Sequence, residues 1–165
     1  QSGGYITHLG MGIILLGLVG STMFVRTHQA VLPQTPGAAY QAEGYTFSFK
    51  DLATTQENIP AGGGEGDTVY TLNVDVSKNG RALGTYGPQI RFPQQLRQQN
   101  QTTQHVSIMH EPLKDVFLSF SGVDQANNAT LTVKFFPLQS WVWAGFIITI
   151  LGSGLASWPK RQRAA

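Results

Sequence analysis

From Tyr5 to Val25 the chain carries no formal charge apart from whatever proton His8 holds. A helix crosses a bilayer with roughly 20 mostly apolar residues, and this stretch is long enough. His8 lies inside it, one to two turns from its start. An ionisable side chain within a membrane helix is costly and marks a functional position by default. A signal peptide fits poorly: a basic leading region is missing, and the apolar part is too long for the short core that precedes a cleavage site. We expect a retained helix over 1–25, in a piece of a longer protein.

The 165 residues suggest one modest domain plus extras. A second apolar block runs from Trp141 to Trp158. The middle is polar and rich in Gly, Gln and Thr. From Thr27 to Ser140 seven basic residues face nine acidic ones, a net charge of −2. The positive balance comes from Arg26 and from Lys160, Arg161 and Arg163 near the other end. The sequence pI of about 9.1 is therefore no argument for nucleic acid, and no basic face with interleaved aromatics is present. The absence of cysteine excludes disulfides, thiolate metal sites, a Cys nucleophile and haem attached through this chain's own Cys-x-x-Cys-His.

The middle reads as β structure, over 26–139. Tyr45–Phe49 alternates, as does Thr68–Val76. Asn79-Gly80 is a strong hairpin signal, with Arg81–Tyr86 as the return strand and Gly87-Pro88 ending it. Further strands are expected over Gln104–Met109, Val116–Ser121 and Ala129–Phe136, the last two joined by the turn Asp124–Asn128. Pro33, Pro36 and Gly37 break any continuation of the first helix. Gly62–Asp67 is a flexible loop; it lacks the Gly-Lys-Ser/Thr ending of a phosphate cradle. Arg91–Gln104 is a Gln-rich connector, either a loop or a short helix. Six or seven short strands predict a small antiparallel barrel or sandwich between two transmembrane helices.

The second helix is expected over 140–158, after Pro137. Trp141, Trp143 and Trp158 stand at its edges, as an interfacial belt predicts. The basic tail 159–165 places the C-terminus in the cytoplasm. Two crossings then put the β-domain outside, in a periplasm, and His8 in the cytoplasmic half of the membrane.

His8 has three open readings: a hydrogen-bond donor to a neighbouring helix, a proton relay, or an axial ligand to haem iron. Gly4 and Gly12 stand at i−4 and i+4 on its face of the helix, which suits a flat macrocycle or a close helix neighbour. His105 and His110 fall at the ends of one expected strand, pointing to opposite faces, so a shared metal is not expected. His28, just outside the first helix, is expected to be solvated. Asp51, Asp75, Asp115 and Asp124 sit in no hydrolase motif. No self-contained active site is legible.

Gly3-Gly4-Tyr5-Ile6-Thr7-His8-Leu9-Gly10 resembles the opening of the C-terminal part of the bacterial cytochrome c biogenesis family CcmF, the haem lyases of the multi-component maturation pathway. The resemblance extends through Val76–Gly84, Pro88, Arg91-Phe92, Asp115–Leu118, Pro137–Trp143 and Gly152–Pro159. Residues 53–68 and 93–104 depart from the family pattern. The resemblance implies that His8 is an axial ligand to a membrane b-type haem whose second ligand lies outside this chain. It implies a bacterial inner-membrane location, with upstream membrane helices of the same protein beside these two. It also implies partners: a periplasmic haem chaperone, apocytochrome c and the subunit that holds it. In such a lyase haem is attached to Cys-x-x-Cys-His of apocytochrome c, and the b-haem supplies a reducing electron. The ResB-like proteins of the other maturation system share the helix, β-domain, helix order and are the alternative. A membrane-tethered β-domain used only for docking is the alternative of a different class.

Overall fold

The computed structural model describes residues 2–99 and 101–158. Its element order is α1 (Ser2–Met23), β1 (Arg26–Pro33), β2 (Ala39–Ala42), β3 (Tyr45–Glu57), β4 (Asp67–Lys78), β5 (Arg81–Tyr86), β6 (Gln89–Phe92), a 3-10 turn (Gln94–Gln99), β7 (Thr103–His105), β8 (Ser107–His110), β9 (Lys114–Val123), β10 (Asn128–Pro137) and α2 (Gln139–Ser157). The basic tail expected over 159–165 lies outside the described residues.

Two compact units result. One holds α1 as far as Arg26, the segment His110–Val116, and the chain from Phe135 through α2. The other holds Thr27–Met109 and Phe117–Lys134.

The β unit is built from two sheets. One has the order β1-β10-β9-β8; the other runs β2-β3-β4-β6-β7, with β5 also paired to β4. The pairings β2–β3, β3–β4, β4–β5, β4–β6 and β6–β7 are all antiparallel. The two-residue period of each strand turns alternate side chains to one face, which is the one buried. Tyr45 and Phe47 of β3 are fully buried, as are Leu72 and Val74 of β4, Leu118 of β9, and Leu131 and Val133 of β10. Ala30 and Leu32 of β1 join them.

The structure corrects the expected strand set. Ten strands form among the described residues, not six or seven. β1, β2 and β6 carry too few alternating residues to announce themselves. β3 runs on to Glu57 because a register shift between Phe49 and Asp51 absorbs Lys50 as a bulge; the bulge ends the alternation but not the strand. The strand expected over Gln104–Met109 is two strands in different sheets, β7 and β8, with the chain changing sheets at Val106. A chain that switches sheets in this way makes a corner between them.

Two turns follow local chemistry. Asn79 (φ 50°) and Gly80 (φ 78°) both take positive φ, as a type I′ turn requires. In the β9–β10 turn the Asp124 carboxylate accepts from the Asn128 N–H at 2.8 Å and from Asn128 Nδ2 at 3.2 Å. The backbone bond from Asn128 holds the Asp124 pKa below its ordinary value of 3.8, against opposing desolvation. A depressed folded-state pKa contributes stability above the unfolded value, and that contribution is lost as pH falls through the folded value. Asp124→Ala is therefore expected to be less stable than the parent at neutral pH, with the gap closing below pH 3.8. Thermal melts across an acid pH series check this; a gap independent of pH would refute it.

Candidate functional site

α1 and α2 are each long and apolar enough to cross a membrane, by length and composition. They lie antiparallel within one unit, and glycine sets their approach. A Cβ at Gly3 would stand 2.7 Å from Ala156 Cα, one at Gly10 2.7 Å from Thr149 N, and one at Gly17 2.7 Å from Val142 N. From the other side, a Cβ at Gly145 would stand 2.7 Å from Ile14 N, and one at Gly152 2.6 Å from Thr7 N. Real side chains do not fit at such distances. Gly3, Gly10 and Gly17 recur every seven residues, as do Gly145 and Gly152. A seven-residue repeat keeps one face of a helix on its partner. Thr7 Oγ1 donates to Gly3 O at 3.1 Å, and Thr149 Oγ1 to Gly145 O at 2.8 Å, so neither hydroxyl is left unbonded between the helices.

This packing sorts the glycines of α1 into two classes. Gly4 and Gly12 are exposed, and a Cβ at either would meet nothing within 4 Å. They do not serve the contact with α2. His8 lies between them, one turn from each, and is also exposed. Its Nδ1 lies 2.7 Å from Gly4 O. A carbonyl only accepts, so Nδ1 carries the proton, and in the neutral ring Nε2 keeps its lone pair. In the neutral ring, then, the face presents Nε2 as an acceptor flanked by two positions without side chains. Such a face admits a flat ligand with a metal at its centre. An orienting hydrogen bond on the other ring nitrogen is the usual companion of a metal-ligating imidazole.

The other histidines fall elsewhere. His28 Nε2 lies 3.4 Å from Glu43 Oε1, and His28 is half-buried, not fully solvated as expected. His105 is exposed on β7, and His110 is on β8, so the two do not share a strand. His110 Nδ1 donates to Asp115 Oδ1 at 3.0 Å, and Asp115 is buried. That pair was not legible beforehand: five residues separate its members across a turn, and no motif marks it. No group of three potential metal-ligating side chains occurs among the described residues. A cavity of about 420 Å³ opens between the sheets, lined by residues including Leu52, Tyr70, Ile90, Phe92 and Phe120. No carboxylate or histidine lines it, so it offers no acid–base pair.

Comparison with known proteins bears on both the CcmF and the ResB-like readings. The chain is 24% identical over 163 residues to the cytochrome c-type biogenesis protein ccl1 of Rhodobacter capsulatus, covering 96% of this chain and 22% of that protein. It is 25% identical over 158 residues to the cytochrome c-type biogenesis protein CcmF of Pseudomonas aeruginosa, again covering 96% of this chain and 22% of that protein. The chain thus spans about a fifth of the length of these relatives. A solved structure of a cytochrome c heme lyase CcmF superposes with a TM-score of 0.68 at 16% identity, over 95% of this chain and 24% of that one, and shares its fold. The likeness read from the glycine-rich His8 segment onward is therefore a likeness along nearly the whole chain. The ResB-like family model matches residues 59–164, well over half of the sequence, and the chain belongs to the ResB-like family.

Proposed function

We propose that this chain is part of a membrane-embedded cytochrome c haem lyase, in which His8 is an axial ligand to a b-type haem. The observation that carries the reading is the Gly4–His8–Gly12 face, with Nδ1 held by Gly4 O and Nε2 presented outward. Support comes also from the names of the relatives, which are cytochrome c-type biogenesis proteins. α1 and α2 then cross a bacterial inner membrane, with the β-domain in the periplasm and the C-terminus in the cytoplasm. The second axial ligand comes from upstream membrane helices of the same protein.

A haem bound there would supply an iron that takes up and releases one electron at a time. His8 would hold that iron through Nε2, and Gly4 and Gly12 would leave room for the group beside the imidazole. The Gly4 carbonyl holds the imidazole in one tautomer and raises its basicity as a ligand. In this reading the β-domain offers the docking surface for the haem chaperone, apocytochrome c and its holding subunit.

The test is the reduced-minus-oxidised optical spectrum of the detergent-purified full-length protein, parent beside His8→Ala. The expected result is a b-type spectrum that is lost or strongly reduced in the variant. His8 faces away from α2, so the fold is expected to survive, as far-UV circular dichroism would check. An unchanged spectrum sinks the ligand role. A second reading, a docking β-domain in which His8 is idle, has one observation in its favour: the family match begins at residue 59, beyond His8. That reading predicts no spectral difference and no loss of cytochrome c maturation.

A further inference from the structure

Leu113, an exposed apolar side chain at the head of the helix pair, belongs to neither helix. Leu113 is 63% exposed, within the turn Glu111-Pro112-Leu113-Lys114 that the Glu111 N–H closes onto Lys114 O at 3.0 Å. A single exposed leucine is ordinary. The position of this one is not. Its carbonyl accepts from Leu138 N–H at 2.8 Å, and the Glu111 carbonyl accepts from Ser140 Oγ at 3.3 Å. Leu138 in turn lies against Gly20, where a Cβ would be 2.7 Å from Leu138 Cδ1. The turn is thus tied to the helix pair at the depth of Gly20, about one helical turn inside the end of α1 at Met23. Beyond that depth α1 and its exit stay uncharged until Arg26.

Aromatic side chains mark the same end. Phe24 is 63% exposed, Trp141 39% and Trp143 64%. We infer that the Glu111–Lys114 turn enters the membrane interface beside the two helices, with Leu113 in the boundary between headgroups and acyl chains. The inference rests on the reading that α1 and α2 span a bilayer, and the occupant of this surface is phospholipid.

Charge decides the depth. Glu111 and Lys114 lie within the turn, which excludes the hydrocarbon centre. Lys114 Nζ stands 5.3 Å over the Phe135 ring, an apolar stem with a cationic tip of the kind that suits the headgroup level. The Asp115 carboxylate is turned inward onto His110 Nδ1, so it does not face lipid. Tryptophan is enriched at this same level.

The chain contains no cysteine, so a single introduced thiol is unambiguous. Leu113→Cys and, as a membrane reference, Leu151→Cys on the exposed side of α2 would each carry an environment-sensitive fluorophore. The purified chain is reconstituted in phosphatidylcholine vesicles bearing nitroxide either at the headgroup or deep in the acyl chain. Position 113 is expected to lose more emission to the headgroup nitroxide, and position 151 to the deep one. Quenching at 151 together with none at 113, and with iodide reaching 113 from water, overturns the inference while leaving the spanning helices intact. Absence of lipid quenching at 151 overturns the spanning reading, and the inference falls with it.

Discussion

Gly10→Leu is expected to separate the two helices. A Cβ at this position would stand 2.7 Å from Thr149 N and 2.9 Å from Gly145 O, both backbone atoms of α2. Backbone cannot swing aside as a side-chain tip can, so the helices must part. Overpacking a well-filled contact costs about 1–3 kcal/mol and occasionally more, and blockage by backbone favours the upper end. Proximity can be read directly, because Thr7 Oγ1 and Ser153 Oγ lie 3.5 Å apart. A Thr7→Cys/Ser153→Cys pair is expected to form a disulfide on mild oxidation in the parent background. Adding Gly10→Leu is expected to suppress it; cross-linking at the parent rate would mean the contact is not made as described. Gly12→Leu is the matched control, since a Cβ there meets nothing within 4 Å. It leaves the cross-link intact and, on the proposed function, lowers haem occupancy.

Phe47→Ala is expected to be the most damaging single change in the sandwich. The ring is 0% exposed, lies 6.2 Å from the Tyr45 ring, and sits between Tyr40 of β2 and Val76 of β4 in the strand register. Truncating a buried phenylalanine to alanine costs about 3–5 kcal/mol, the lost transfer energy plus the cavity left behind. Domains hold only about 5–15 kcal/mol in total. The variant should therefore show a large fall in urea midpoint at unchanged slope, or fail to fold. Thr54→Ala, exposed near the far end of β3, should stay within about 0.5 kcal/mol of the parent. A Phe47→Ala protein as stable as Thr54→Ala would contradict the assigned core.

The two substitutions also separate what each kind of information supplies. Phe47 was legible: Tyr45-Thr-Phe-Ser-Phe49 alternates, and alternation places every second residue on a buried face. The same is true of the hairpin at Asn79-Gly80, where both residues tolerate positive φ, and of the two apolar helices. These signals are local, written within one or two turns of chain. Gly10 was legible only as one of several glycines in α1. Nothing within α1 says that Gly3, Gly10 and Gly17 meet α2 while Gly4 and Gly12 stay open. That division depends on residues more than 120 positions away.

The same distinction runs through the rest of the molecule. By itself the sequence determined the helix, β-domain, helix order, several of the strands, and the singling out of His8 within an uncharged stretch. Tertiary structure decided the strands β1, β2 and β6, the passage from β7 to β8 between sheets, and the pairing of His110 with the buried Asp115. It also set Leu138, a leucine at φ 60°, where the bond to Leu113 O and the fit against Gly20 oppose the strain. Periodicity and turn chemistry are properties of neighbouring residues and survive in any context. Which face of α1 is covered, which short segment finds a strand partner, and which carboxylate is buried are set by contacts between distant segments, and those exist only once the chain has folded.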